Sequence, residues 1–325
     1  MTGNGWTRSR DAREMRLQHA FATRVLRFWP VNTRKALLVT YRRSVRYALA
    51  WGSAALSGFL ADACCGSAYA QGRLEASYRV TLGGVAFGKG TWLIDVRDNQ
   101  FTASASGTTT GLLRLFNKGE GTSSARGTLV QGQPSAVTYV SSIQTDKKYD
   151  EVRMQVNGGT VKEYTADPPT IQTPDRVPLT DADRRGVVDP MTASLMRVSG
   201  TGDAFAPETC QRKLAIFDGR MRYDLRLSFK RLEKVHSEKG YQGTVVACAV
   251  YFSPVSGYVP QRPVIKYLTS LRDMEVWLAP IAGTRLMVPY RASIPSPFGL
   301  GILEAAQFVS LAYPAAAASN GVKSR

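Results

Sequence analysis

A chain of 325 residues with 44% hydrophobic and 21% charged side chains can bury one or two cores, and this composition excludes global disorder. The net charge of +17 is uneven: residues 1–70 hold 11 Lys/Arg against 3 Asp/Glu, which leaves 31 against 22 in the rest. Such a balance favours anionic partners such as lipid headgroups or acidic polysaccharide, with an inert basic surface as the alternative. Nucleic-acid binding is excluded, because Lys/Arg clusters interleaved with aromatics in a recognisable module are missing.

Residues 1–70 read as a secretory signal peptide with an over-long basic n-region. Tyr41-Arg-Arg-Ser-Val-Arg precedes an apolar run from Tyr47 to Ala61, and Ser67-Ala68-Tyr69-Ala70 fits a small-residue cleavage site, so cleavage is expected after Ala70. The run is short of the about 20 residues that a membrane span needs, although an uncleaved anchor is the alternative. The long n-region is compatible with a start later than Met1. Arg42-Arg43 is a weak twin-arginine signal, which leaves the export route open, and Cys64 sits in a poor lipidation context because of Asp62.

From Leu74 the pattern turns to strands. Ala76, Tyr78, Val80 and Leu82 alternate with polar residues up to Gly83, the period of a half-buried strand, and Gly83-Gly84 turns the chain into a second strand over Val85–Val96. Asn99 turns into a third at Gln100–Thr109, Gly111–Phe116 reads as a helical turn, and strands resume at 121–130, 136–144 and 149–156. Asn157-Gly158 signals a type I′ hairpin into Thr160–Tyr164. The four prolines of 166–180 make a loop. Asp189-Pro190 supplies an N-cap and a first-turn proline for a helix over Met191–Val198. Two strands meet at a turn on Asp218-Gly219, and a third is expected to return Cys248 to Cys210. Further strands fall at 275–280, 285–294 and 301–311, before an Ala/Ser tail over 314–325 that is expected to be disordered. Strands lie on both sides of the proline-rich loop. One β-rich domain over 71–313 is therefore favoured over two halves, 71–165 and 190–313, joined by 166–180.

After cleavage the chain keeps two cysteines, Cys210 and Cys248, which in an oxidising compartment are expected to pair; two buried free thiols are the alternative. Zinc is not expected, because His236 is the single histidine after residue 70 and no Cys-x-x-Cys occurs.

Candidate chemistry is sparse. Gly83-x-x-x-x-Gly88-Lys89 has Gly90 where a phosphate loop needs Ser/Thr, and it reads as a hairpin. There is no Gly-x-Ser-x-Gly elbow, and His236 lies in a polar, exposed-looking stretch, so a Ser-His-Asp site has no support. Asp218 and Asp224 are a pair that acid–base work could use, but Asp218 and Gly219 read as turn formers and Asp224 as a partner of Arg222 or Arg226. Met221, Tyr223, Leu225, Leu227 and Phe229 fill one strand face, while Arg220, Arg222, Asp224, Arg226 and Lys230 face the other way. That cationic row, with Tyr223, is a candidate holder of an anionic headgroup whose apolar tail lies in a concave sheet; a solvated outer face is the alternative.

Phe217-Asp-Gly-Arg-Met-Arg-Tyr-Asp-Leu225 between Cys210 and Cys248 resembles an exported bacterial family known as domain of unknown function 3108. Tyr78-Arg-Val-Thr-Leu-Gly-Gly84, Asp189-Pro190, and Trp277-Leu-Ala-Pro280 followed by Val288-Pro289-Tyr290 match it too. The resemblance runs from Leu74 to Leu311. It implies a signal peptide, a periplasmic β-rich fold and no assigned activity, and it brings no catalytic residues. More loosely, such a sheet is similar to outer-membrane lipoprotein carriers, whose half-closed barrel holds acyl chains; this is a similarity of fold, which does not set function.

The expectation is a mainly β protein: a large curved antiparallel sheet or partly closed barrel with one or two short helices. It is expected to be periplasmic and non-enzymatic, without cofactor or metal, and to meet the membrane only during export. It would bind an amphipathic or anionic envelope ligand or support the envelope. A periplasmic hydrolase acting on envelope lipid or polysaccharide is the alternative, and the sequence leaves the oligomeric state open.

Overall fold

The computed structural model describes residues 71–111, 118–198 and 202–314. The signal-peptide reading with its cleavage at Ala70, nearly all of the helical turn at 111–116, and all but the first residue of the tail lie outside them.

Alternation and tight turns build a meander of seven strands: β1 (Gly72–Leu82), β2 (Val85–Arg97), β3 (Gln100–Thr109), β4 (Gly119–Val130), β5 (Gln133–Thr145), β6 (Tyr149–Asn157) and β7 (Thr160–Asp167). Every second side chain is buried: Leu74, Ala76 and Tyr78 on β1, Trp92, Ile94 and Val96 on β2, Val152, Met154 and Val156 on β6. The last hairpin turns at Gly158-Gly159, both at positive φ, one residue later than the Asn157-Gly158 turn expected. Asn157 pairs with Thr160 instead, because two adjacent glycines accept the left-handed turn with less strain than an Asn-Gly pair.

After the proline-rich loop come α1 (Pro190–Ala193) and β8 (Met196–Arg197). The helix expected over Met191–Val198 is cut to one turn, because Met196 and Arg197 take ladder bonds from Met287 and Leu286. The second half of the sheet follows: β9 (Arg212–Phe217), β10 (Arg222–His236), β11 (Lys239–Gly240), β12 (Gln242–Ser256), α2 (Pro263–Ser270), β13 (Glu275–Pro280), β14 (Leu286–Ser296) and β15 (Gly299–Ala312). Helix α2 was not read from the sequence; Val264, Ile265, Tyr267 and Leu268 give it a short apolar stripe, but none of its residues is buried.

All strands among the described residues belong to one 15-stranded sheet, so it continues across the proline-rich loop. Its order is β7-β6-β5-β4-β3-β2-β1-β15-β14-β13-β12-β10-β9, with β8 and β11 added to β14 and β15. The two edges do not pair directly. Residues 185–188 span the gap: Arg185 bridges Thr160 of β7, and Val188 bridges Ile216 of β9. The turn at Asp218-Gly219 leans on β6, where a Cβ on Gly219 would lie 2.3 Å from Val152. Tyr164 and Phe217 meet edge to face across the same gap at 5.3 Å. The result is a partly closed barrel.

The main core fills the inner face and includes Phe101, Tyr139, Met191, Leu195, Phe217, Tyr290 and Phe308. A second cluster covers the opposite face of β10, β12, β13 and β14 with Met196, Val198 and Cys210. Cys210 and Cys248 form a disulfide across a sequence separation of 38. The strand carrying Cys248 was expected beside that of Cys210. Instead β12 pairs with β10, so the bond reaches from the turn before β9 across to the far neighbour of β10.

Candidate ligand-binding site

The expected cationic row is dispersed by its neighbours. Arg220 lies in the turn, not on a strand; it is ion-paired with Asp150 at 3.2 Å and donates to the Pro168 carbonyl at 3.0 Å. Arg222 pairs with Asp224 at 2.7 Å. Arg226 lies over the Tyr251 ring at 4.1 Å, and Tyr223 packs on Phe252 at 5.5 Å. Lys230 is the extra residue of a bulge, since Phe229 pairs with Cys248 and Arg231 with Ala247, and its Nζ lies 2.5 Å from Glu275. Glu275 also receives Arg231 and the Trp277 N–H. Burial opposes its charge, yet these hydrogen bonds outweigh it and hold the carboxyl at about 2.

Asp218 and Asp224 are set apart in chemistry. The Asp218 carboxylate accepts the N–H groups of Arg220 and Met221 at 2.8 and 2.7 Å, which fixes the turn; burial nevertheless pushes its pKa up. Burial of Asp224 is outweighed by hydrogen bonds from Lys213 and Arg222, and its pKa falls. Asp189 is 2% exposed and caps α1 through the Thr192 N–H at 2.9 Å, and burial pushes its pKa up as well. The buried phenol of Tyr139 feels both Asp189 and Asp218. His236, the single histidine among the described residues, is exposed and lies 3.4 Å from the Gln242 amide. Among the described residues no cluster of His, Cys, Asp and Glu is arranged to hold a metal.

Two cavities lie on opposite faces of the first strands, and sequence reading missed both. Tyr78, Gly90, Gly107 and Gly121 stand opposite one another across β1 to β4. Gly90 and Gly107 would have placed side chains on the inner face, and without them the core opens into a pocket of about 350 Å³. Tyr78, Trp92, Ala105 and Leu303 line it from the sheet, and Met191 of α1 and Pro289 close it. Its hydroxyls are committed: Tyr78 donates to the Pro289 carbonyl at 2.7 Å and Ser194 to that of Pro190 at 3.0 Å. The Trp92 N–H, by contrast, is buried with no partner. Such a group costs about 1–3 kcal/mol in a dry interior. The glycines are visible in the sequence, but their alignment is visible only once the register is known.

On the outer face a groove of about 710 Å³ runs over the same strands. Ser77, Thr91, Ser106, Thr122 and Ser142 form one hydroxyl row across it, flanked by Arg79, Lys89 and Glu120. Thr91 and Ser106 hydrogen-bond each other at 2.8 Å, and Arg79 is paired with Glu238.

A family model described as "Protein of unknown function (DUF3108)" matches residues 77–305. No curated protein matches. Among solved structures the fold is similar to a β-barrel-like protein of domain of unknown function DUF1849 from Brucella abortus. The two are 7% identical, the match covers 74% of this chain and 98% of that one, and the TM-score is 0.41.

Proposed function

The chain belongs to the DUF3108 family, and from that premise we propose that it is a non-enzymatic envelope protein that holds an amphipathic ligand in the periplasm. The observation that carries this reading is the inner pocket. It lies at the lower end of the about 300–1,000 Å³ usual for small-molecule sites, its walls are mainly apolar, and one of its lining residues keeps an unpaired donor. Apolar walls that include Trp92 and Met191 suit an acyl chain. The cationic residues first expected to hold a headgroup are engaged with protein partners, which moves the ligand reading from β10 to β1–β4.

Native mass spectrometry of protein purified from periplasm tests it: a co-purifying lipid-sized mass is expected. Ala105→Phe, which puts a ring into the pocket, is expected to abolish that mass and to weaken binding of a fluorescent fatty acid by at least about tenfold. A clean, ligand-free parent protein that ignores the probe would sink the reading.

A further inference from the structure

Two hairpin tips at one end of the sheet expose apolar side chains that the fold does not need. The turn of β1–β2 is Gly83-Gly84, and that of β14–β15 is Pro297-Phe298. They are joined by a hydrogen bond from the Gly83 N–H to the Leu300 carbonyl at 3.0 Å. Phe298 is 81% exposed and Val85 62%, with Ile294 and Leu300 also exposed beside them. Isolated exposed apolar residues are ordinary; here Val85 and Ile294 on one sheet face, Leu300 on the other and the nearly bare Phe298 at the turn form an apolar patch that wraps the two linked tips.

The patch is also held in place. Gly83 and Gly84 both have positive φ, as a two-residue hairpin requires. Ser296 accepts the Phe298 N–H at 3.2 Å and donates to the Gly299 carbonyl at 2.7 Å. Phe298 is thus presented by an ordered backbone, which reduces the entropy lost on docking.

Charge indicates the partner. No carboxylate occurs in residues 80–94 or 292–303, where Lys89 is the single charged side chain. The strand register brings the β5–β6 turn and the start of β4 to the same end, with exposed Lys118, Lys147 and Lys148 against exposed Glu120 and Asp146. Apolar tips without acids of their own, beside a stretch where Lys89, Lys118, Lys147 and Lys148 outnumber Glu120 and Asp146, match an interface where acyl chains lie under anionic headgroups. We propose that the Val85/Phe298 tips dock this protein on a bilayer surface bearing anionic headgroups. The inner pocket, lined by Val80 and Trp92 of the same two strands, lies in the half of the sheet nearest that surface.

The test is vesicle flotation of protein beginning at Gln71, where the described structure starts within the compact unit. Vesicles of phosphatidylglycerol mixed with phosphatidylcholine are expected to bind it, and phosphatidylcholine alone to bind it at least about tenfold less. Phe298→Ser is expected to lower partitioning onto the mixed vesicles about tenfold or more, Val85→Ser less, and Phe298→Trp to keep it, with a blue-shifted emission when vesicles are added. No binding by the parent, equal binding to the two vesicles, or unchanged binding by Phe298→Ser would each overturn the proposal. So would a lipid-free dimer that Phe298→Ser dissolves, which would make the tips a contact between copies. Ala105→Phe is expected to bind vesicles like the parent, so failure of the pocket reading and failure of the docking reading give different results.

Discussion

The two halves of the sheet solve burial differently. From β1 to β7 one face is packed and the other meets solvent, so Leu74, Ala76 and Tyr78 are buried while the residues between them are not. In β12, Val245, Val246, Ala247 and Cys248 are all fully buried, because the main core lies on one side and the second cluster on the other. Leu286, Met287 and Val288 of β14 repeat the pattern. The doubly covered half carries the disulfide and the Glu275 ion-pair network. The singly covered half can afford missing side chains, and there the glycines open a pocket. Rigidity and ligand space are thus assigned to different parts of one sheet.

The largest expected effect breaks the covered half. Closing a loop with a separation of 38 should stabilise by about 4 kcal/mol in the chain-entropy model, so Cys210→Ser should lower the denaturant midpoint accordingly. Faster migration of the oxidised parent in non-reducing electrophoresis checks that the bond is present; equal mobility would remove the basis of this prediction. Next, two glycines sharpen the contrast within the singly covered half. A Cβ on Gly127 would lie 2.0 Å from the Ser135 carbonyl and 2.7 Å from the Phe101 ring, so Gly127→Ala should cost about 2–3 kcal/mol. A Cβ on Gly107 meets nothing nearer than the Lys89 carbonyl at 3.6 Å, so Gly107→Ala should change stability by less than about 1 kcal/mol. Equal losses at the two positions would mean that the pocket is not open.

Acid titration should divide the carboxyls by sign. The pKa of Glu275 is lower in the folded protein than in the unfolded chain, so its contribution is present above about 4.5 and is lost as pH falls toward about 2. Glu275→Gln should cost about 1–2 kcal/mol at neutral pH, discounted for the partly exposed partners Lys230 and Arg231, and progressively less as pH falls from about 4.5 through about 2. Asp189 is shifted the other way, so the folded protein holds its proton more tightly and stability falls as pH rises above about 3.8. Asp189→Asn keeps an oxygen for the Thr192 N–H and should flatten that decline. Thermal melts across pH 2–7 read both slopes.

The comparison also explains what the sequence could reveal. Where one face is buried, alternation is a direct signal, and β1, β2 and β6 were read nearly to their ends. The Asp218-Gly219 turn was legible because both residues have local reasons to be there. The neutralised cations were not: Arg220 meets Asp150 and Lys230 meets Glu275, partners 70 and 45 residues away. Nor could a local pattern show that β10 separates β9 from β12, or that Gly90 and Gly107 stand opposite one another. Register and neighbour are properties of the assembled sheet.

The pairing of β1 with β15, from Gly72 opposite Ala312 to Leu82 opposite Gly301, has a consequence for how the chain folds. The β1–β7 meander can zip from local hairpins as soon as its residues exist, but the free edge of its first strand must wait for the last strand to be made. That wait spans more than two hundred residues, and long-range closure of this kind is slow and leaves an unpaired edge open to other chains. The last strand therefore acts as the latch of the folding reaction. A chain that stops before Gly299 should form its early hairpins, fail to complete the sheet and self-associate through β1.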